Sequence, residues 1–145
     1  MRAFNKVLAA AAMAAAGVGL AQADGHGPDK LFVSVTSDDL QTQGMSMILA
    51  TQGMQQGQEP RILLCGPGAE MATDDYSADA LEPAGANPQQ MMRNLIDEGV
   101  QVEVCAIFLP NTDYTEDDLI EGVGVAEAPE VAEYMADPSV RHFSN

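Results

Sequence analysis

Short apolar runs recur along this chain, separated by stretches in which apolar residues return every three or four positions. A short apolar run bounded by polar or glycine-rich residues is typical of a strand buried in a sheet. Such runs predict strands over residues 31–35, 61–65 and 100–109, with shorter strands over 122–125 and 140–143.

Helical spacing appears between these predicted strands, together with residues that begin and end helices. The Ser-Asp-Asp run at residues 37–39 predicts a helix start with acid in its first turn, and Gly57 predicts the end of that helix. Asn87 followed by Pro88 predicts a second start, with Asn as the N-cap and Pro at the first helical position.

The remaining segments predict two more helices and one long loop. A helix is expected after Thr115, and another is expected from Pro129 to Met135. Residues 66–86 are rich in Gly, Pro, Asp and Ala, which predicts a long surface excursion with one weak helical turn around Glu70.

Strands that alternate with helices predict an α/β fold with right-handed crossovers and helices on both faces of the sheet. We expect a three-layer α/β/α sandwich around a mainly parallel five-stranded sheet with the flavodoxin-like strand order 2-1-3-4-5. Ligands of such sheets bind beyond the carboxyl ends of the strands, so the turns after the first three strands form the predicted functional edge. The candidate residues of this edge are Ser37, Asp38, Cys65, Gly66, Gly68, Cys105 and Thr115.

The N-terminal residues have the pattern of a secretory signal peptide. Arg2 and Lys6 precede an alanine-rich apolar run over 7–20, and the Ala-Gln-Ala at 21–23 places small residues where signal peptidase cleaves. A transmembrane helix needs about 20 strongly apolar residues, which this run lacks. The pattern predicts a bacterial protein exported to the periplasm or the exterior, with no membrane attachment after cleavage.

Cleavage would leave a flexible leader over 24–29 and one domain over 30–145. From residue 24 onward the chain carries four basic and 22 acidic residues, a formal charge of −18. A surface of this sign repels nucleic acid and anionic lipid, so neither is expected as a partner.

The two cysteines, Cys65 and Cys105, fall at or near the carboxyl ends of two predicted strands. In an exported protein such a pair suggests a disulfide. The flavodoxin-like order argues against it, because strands two apart are separated by about 9–10 Å and a disulfide needs Cα atoms closer than about 7 Å. We therefore expect two free thiols, with the disulfide as the alternative.

Other candidate chemistry is weaker. Gly66 and Gly68 flank a proline and lack the third glycine of a dinucleotide-binding loop. His26 and His142 lie at opposite ends of the domain, which disfavours a zinc site. Seven of the nine methionines follow residue 23 and could bind Cu(I) with the cysteines, but most lie on apolar helix stripes and are expected to fill the core. No cofactor and no metal site are predicted, and Cu(I) binding is the weakest alternative.

Two segments resemble sequence blocks of a known family. Residues 97–105, Asp-Glu-Gly-Val-Gln-Val-Glu-Val-Cys, resemble the "helix, Gly-Val, strand, Cys" block of the DsrE/DsrF-like family. Residues 117–123, Asp-Asp-Leu-Ile-Glu-Gly-Val, resemble its Asp-Leu-Ile-x-Gly-Val block at similar spacing. Residues 31–57 and 61–69 also fit the family layout, so the resemblance covers about residues 30–143.

This resemblance implies a three-layer sandwich that assembles into homotrimers or hexamers. It also implies sulfur relay, with Cys105 as the sulfur-carrying residue and a thiol or persulfide protein as donor or acceptor. A relay needs a thiolate that attacks a donor persulfide and then yields the outer sulfur.

The sequence around Cys105 differs from that of relay members, in which small residues and often an arginine follow the cysteine. Here apolar residues 106–110 follow Cys105, and Glu103 shares its strand face. Both features raise the pKa of a thiol, and only a helix N-terminus after Thr115 is expected to offset them. Two hypotheses result: an exported protein that handles sulfur or thiols through Cys105, and a non-catalytic oligomeric binding or assembly module with an inert cysteine.

Overall fold

The computed structural model describes residues 29–145. The predicted signal peptide over 1–23 lies outside the described residues, as does the leader before Asp29. Within 29–145 no helix is both long and apolar enough to cross a membrane. The five strands are β1 Lys30–Val35, β2 Glu59–Leu64, β3 Gln101–Val104, β4 Val123–Val125 and β5 Val140–Ser144.

Three α-helices connect these strands, together with three short 3₁₀ segments. The helices are α1 Leu40–Gln55, α2 Pro88–Asp97 and α3 Ala128–Ala136. The 3₁₀ segments are Gly66–Ala72, Leu109–Asn111 and Glu116–Asp118. The helix expected after Thr115 is therefore a single turn, whereas the helices expected from the other start signals are present.

Side-chain caps explain where α1 and α2 begin. Asp39, the last residue of the Ser-Asp-Asp run, is the N-cap of α1, and its carboxylate accepts hydrogen bonds from the Thr42 amide at 2.8 Å and the Thr42 hydroxyl at 2.7 Å. These bonds from Thr42 lower the pKa of Asp39, so the cap is charged at neutral pH. Asn87 and Gln90 form a reciprocal capping box at the start of α2, which confirms the predicted start.

The sheet is wholly parallel, with the strand order β4-β3-β2-β1-β5. The predicted α/β sandwich is confirmed, but the flavodoxin-like order 2-1-3-4-5 is wrong. In the observed order β2 lies between β1 and β3, and β1 pairs with β5 on its other side. From β1 to β4 each strand lies next to the one before it, and right-handed crossovers in this direction place α1 and α2 on the same face of the sheet. The connection from β4 back to β5, at the other edge, runs through α3 and covers the opposite face.

Two hydrophobic cores lie on the two faces of the sheet. The larger core fills the α1 and α2 side, where the strand residues Val33 and Ile62 meet the helix residues Met47 and Met92, all fully buried. These two methionines fill the core as expected. The smaller core, on the α3 side, consists of Phe32, Ala126, Val131 and Val140.

The segment after β2 is part of the larger core and not the start of a surface excursion. Ala69, Met71 and Ala72 within the first 3₁₀ segment are fully buried. The Gln89 side chain donates from Nε2 to the carbonyl oxygens of Met71 and Thr73, at 3.0 and 2.7 Å, and so ties this segment to α2. The surrounding Gly and Pro residues gave this apolar segment the composition of a surface loop.

The third strand is shorter than its apolar run suggested. β3 ends at Val104, and the Phe108 amide donates to the Cys105 carbonyl at 2.9 Å, which turns the chain. The turn buries Phe108 and leaves the Ile107 side chain 73% exposed. The apolar run over 100–109 therefore extends beyond the end of β3 because Phe108 enters the core from the loop that follows the strand.

Gly68 packs against the end of β1, so replacing it with alanine should destabilise the fold. A Cβ atom there would lie 2.6 Å from the Val35 carbonyl oxygen, which is backbone and cannot move aside easily. Overpacking of this kind costs about 1–3 kcal/mol. We expect Gly68→Ala to lower the free energy of unfolding by that amount in urea denaturation.

Gly124→Ala is the matched control for this substitution. Its added Cβ would lie 3.7 Å from Cγ of Glu103, an ordinary contact. Its free energy of unfolding should change by less than about 1 kcal/mol. Equal losses in the two variants would contradict the packing argument.

Candidate functional site at the carboxyl edge of the sheet

The two cysteines lie side by side at the carboxyl ends of adjacent strands. Leu64, the last residue of β2, is in register with Val104, the last residue of β3, so a cysteine follows each strand directly. The Cys105 amide donates to the Leu64 carbonyl at 2.8 Å, which continues the ladder. The Cα atoms of Cys65 and Cys105 are 5.2 Å apart, and the side chains form a disulfide.

The expectation of two free thiols is therefore wrong, and the alternative disulfide is present. The error came from the strand order, because β1 does not separate the two cysteine-bearing strands. Both cysteines are half-buried, so this disulfide is not sealed within the core. In the oxidised form neither sulfur is available as a thiolate ligand for Cu(I).

The end of β1 lies beside the start of the first 3₁₀ segment, Gly66–Ala72, which follows Cys65. The Cys65 amide donates to the Val35 carbonyl at 2.9 Å, and the Gly68 amide donates to the Thr36 carbonyl at 3.3 Å. The predicted edge residues after β1 and β2 are thus joined by backbone hydrogen bonds. Gly66 has a positive φ of 53°, which suits glycine in this turn.

Ser37 and Asp38 lie in the connection between β1 and α1. The Ser37 hydroxyl oxygen accepts a hydrogen bond from the Asp39 amide at 3.1 Å, and the Ser37 carbonyl accepts one from Gln43 Nε2 at 3.0 Å. Ser37 therefore shapes the start of the helix. The Asp38 side chain is exposed.

Thr115 is engaged in a local cap. Its amide and its hydroxyl both donate to Oδ2 of Asp118 at 2.7 Å, and these bonds lower the pKa of Asp118. The turn that follows carries three acidic residues in three positions. It is therefore not the positively charged helix end that was expected to favour a Cys105 thiolate.

An apolar cavity opens beside Cys105, on the face of the sheet that α3 covers. Its volume is about 360 Å³, within the range of about 300–1,000 Å³ typical of small-molecule sites. Its lining includes Cys105 and Ile107, which follow β3, and Val131 and Met135 of α3. The remaining lining residues are Leu63, Ala106, Ala126, Ala128 and Ala132.

A buried ion pair lies on the same strand faces as the cysteines. Arg61 of β2 donates from Nε to Oε2 of Glu103 of β3 at 2.9 Å, and its Nη2 lies 2.8 Å from the same oxygen without hydrogen-bond geometry. Both side chains are about nine-tenths buried. The guanidinium also lies 5.0 Å from the ring centroid of Tyr134, a cation–π contact that holds α3 against the sheet.

The Glu103 carboxylate that was expected to oppose a Cys105 thiolate is thus compensated by Arg61. Sequence reasoning missed Arg61. The sequence feature that could have identified it is a charged residue at the start of an apolar strand, because strand alternation places Arg61 on the same face as Leu63 and Cys65. Glu103 can be identified as its ion-pair partner only when β2 and β3 are known to be neighbouring strands.

Reducing the disulfide should destabilise the fold. Cys65 and Cys105 are 40 residues apart in sequence, and removing a cross-link over a loop of this size costs about 2–4 kcal/mol. Urea denaturation with and without dithiothreitol should show a loss of this size. The double variant Cys65→Ser/Cys105→Ser should match the reduced protein and should not respond to dithiothreitol.

Breaking the buried ion pair at one partner should cost more than removing both partners. Glu103→Gln leaves the Arg61 charge buried without a counter-ion, for an expected loss of about 3–5 kcal/mol in the free energy of unfolding. The double variant Arg61→Met/Glu103→Leu should recover most of that loss. If the single and double variants are equally stable in urea, the carboxylate does not compensate Arg61.

The fold resembles two solved structures. The crystal structure of the ychN protein from E. coli has a TM-score of 0.67 at 18% identity, over 81% of this chain and 98% of that one. The protein of unknown function MTH1491 from Methanobacterium thermoautotrophicum has a TM-score of 0.60 at 16% identity, over 80% and 98%. At these identities the likeness concerns the fold alone.

The amino-acid sequence is also similar to a known relative and to a family model. The uncharacterized protein MJ0760 of Methanocaldococcus jannaschii is 25% identical over 115 residues, which make up 78% of this chain. The match spans 42% of that relative, less than half its length. A model of the DsrE/DsrF-like family matches residues 29–143. The chain therefore belongs to the DsrE/DsrF-like family.

Proposed function

We propose that this protein handles sulfane sulfur and thiols through the Cys65–Cys105 pair, and that Cys105 carries the sulfur as a persulfide when the pair is reduced. The observation that carries the proposal is the half-buried disulfide at the carboxyl edge of the sheet, with Cys105 in the wall of an apolar cavity. Ligands of parallel α/β sheets bind at this edge. Family membership supplies the sulfur-relay context.

The disulfide is the oxidised form of the site in this scheme. A dithiol reductant opens it by thiolate attack on one sulfur and leaves two thiols. The Cys105 thiolate then attacks the outer sulfur of a donor persulfide, forms a new S–S bond and releases the donor as a thiol. Cys105, and not Cys65, is the acceptor because it is the cysteine that lines the cavity.

The charges around the site affect how this chemistry proceeds. The nonpolar cavity disfavours a thiolate at Cys105, and the Glu103 carboxylate would disfavour it further if the Arg61 guanidinium did not compensate its negative charge. The acidic surface slows the approach of anionic donors in a salt-dependent manner. Donors that present little negative charge are therefore favoured.

Export and self-assembly belong to the same proposal. Disulfides persist in oxidising compartments and are rare in the cytosol, which supports the periplasmic or secreted location that the N-terminal pattern predicts. Ile107 and Met135, which line the cavity, are apolar and exposed. This surface supports a homo-oligomer, which the family resemblance implies to be a trimer or hexamer.

The sulfur-carrying role predicts opposite behaviour for the two single cysteine variants. After reduction, desalting and incubation with cysteine persulfide, Cys65→Ser should gain the mass of one sulfur atom by intact-protein mass spectrometry. Cys105→Ser should gain none, because its remaining cysteine does not line the cavity. Treatment with cyanide, which removes sulfane sulfur as thiocyanate, should return Cys65→Ser to its starting mass.

Two results would contradict this role: no adduct on Cys65→Ser, or an equal adduct on both variants. The first would favour the second candidate function, an oligomeric binding or assembly module whose disulfide is only structural. The exposure of Ile107 next to the disulfide is the observation that favours that candidate. It requires that the cysteine edge be covered in the assembled protein.

A further inference from the structure

We infer that Cys65 is a resolving cysteine, so that the protein reduces sulfane sulfur to sulfide and does not store it. The inference rests on the proposed function, because it requires a persulfide on Cys105. It adds a second chemical step and a product. The observations that carry it are the bond between the two cysteines and the position of the cavity relative to them.

The cavity provides the geometry that the second step needs. A thiolate that attacks a sulfur atom approaches opposite to the sulfur that leaves. Cys105 lines the apolar cavity, whereas Cys65 is bonded to Cys105 and is not among the lining residues. An outer sulfur on Cys105 that occupies the cavity therefore leaves the other side of Cys105 Sγ open to Cys65.

The two steps balance in atoms and electrons. The Cys105 thiolate first takes the outer sulfur of a donor persulfide, RSSH, and releases RSH. The Cys65 thiolate then attacks Cys105 Sγ, the bond from Sγ to the outer sulfur breaks, and that sulfur leaves as HS⁻ and is protonated. In sum, RSSH and two protein thiols give RSH, H₂S and the Cys65–Cys105 disulfide. Two electrons pass from the protein thiols to the sulfane sulfur.

The position of Cys65 favours release of sulfide over transfer to a partner. Well-oriented groups within one molecule react with effective concentrations of about 10⁵–10⁸ M. No acceptor thiol of another protein reaches such a concentration, so attack by Cys65 precedes transfer. The side chains of the cavity are nonpolar and offer an anionic persulfide no hydrogen-bond donors that would stabilise it.

Each cycle ends in the disulfide that the structure contains. The next cycle requires a dithiol reductant that attacks the half-buried disulfide from solvent, and one turnover therefore consumes one dithiol. Without a reductant, the reduced protein should perform a single turnover.

The experiment compares reduced wild type, Cys65→Ser, Cys65→Ala and Cys105→Ser in single turnover. Each protein is reduced with dithiothreitol, desalted without air and mixed with cysteine persulfide. Sulfide is trapped with monobromobimane and quantified, and the intact mass is measured in parallel. Cys105→Ser supplies the background from decomposition of the persulfide. Far-ultraviolet circular dichroism shows that each reduced variant is folded.

Wild type should release one equivalent of sulfide per chain above this background and end as the disulfide without an added sulfur atom. Both Cys65 variants should retain one sulfur atom and release no sulfide above background until dithiothreitol is added. If the Cys65 variants take up sulfur and wild type also retains it, the resolving role is wrong and the sulfur-carrying role stands. If no variant takes up sulfur, the proposed function itself fails.

Discussion

The parallel pairing of β2 with β3 is the constraint on which the candidate site depends. It places Leu64 opposite Val104 and so brings Cys65 and Cys105 within disulfide distance. The same pairing aligns the strands so that Arg61 reaches Glu103 across their α3 face. The disulfide and the buried ion pair thus both depend on β2 and β3 being adjacent. Neither would form if another strand lay between β2 and β3.

The two faces of the sheet are covered unequally, and the cavity follows from that difference. α1 and α2 pack over one face and bury the larger core, whereas α3, with nine residues, covers the other. Tyr134 anchors α3 through Phe32 and the Arg61 guanidinium, toward the amino ends of the strands. At the carboxyl end the cover is thinner, so the apolar cavity lies beside Cys105 and leaves Ile107 and Met135 exposed.

The chemistry proposed for the site combines a nonpolar environment with a covalent partner at bonding distance. A nonpolar wall disfavours anions, including a thiolate and a persulfide anion. In the proposed chemistry a second cysteine compensates for this, since its attack would convert the persulfide into a neutral disulfide and a small product that can leave. The structure therefore suits a sulfur reaction that ends within one chain better than long storage of sulfur for another protein.

The sequence by itself determined the five strands, three of the four expected helices and the family, because these depend on local patterns. The cap at Asn87, the apolar run of β1 and the Cys105 block are each encoded within a few consecutive residues. Only the tertiary structure decided which strands are neighbours, because alternating strands and helices are compatible with several parallel orders. The disulfide, the partner of Arg61 and the cavity join residues that are distant in sequence, and all three were settled by that order.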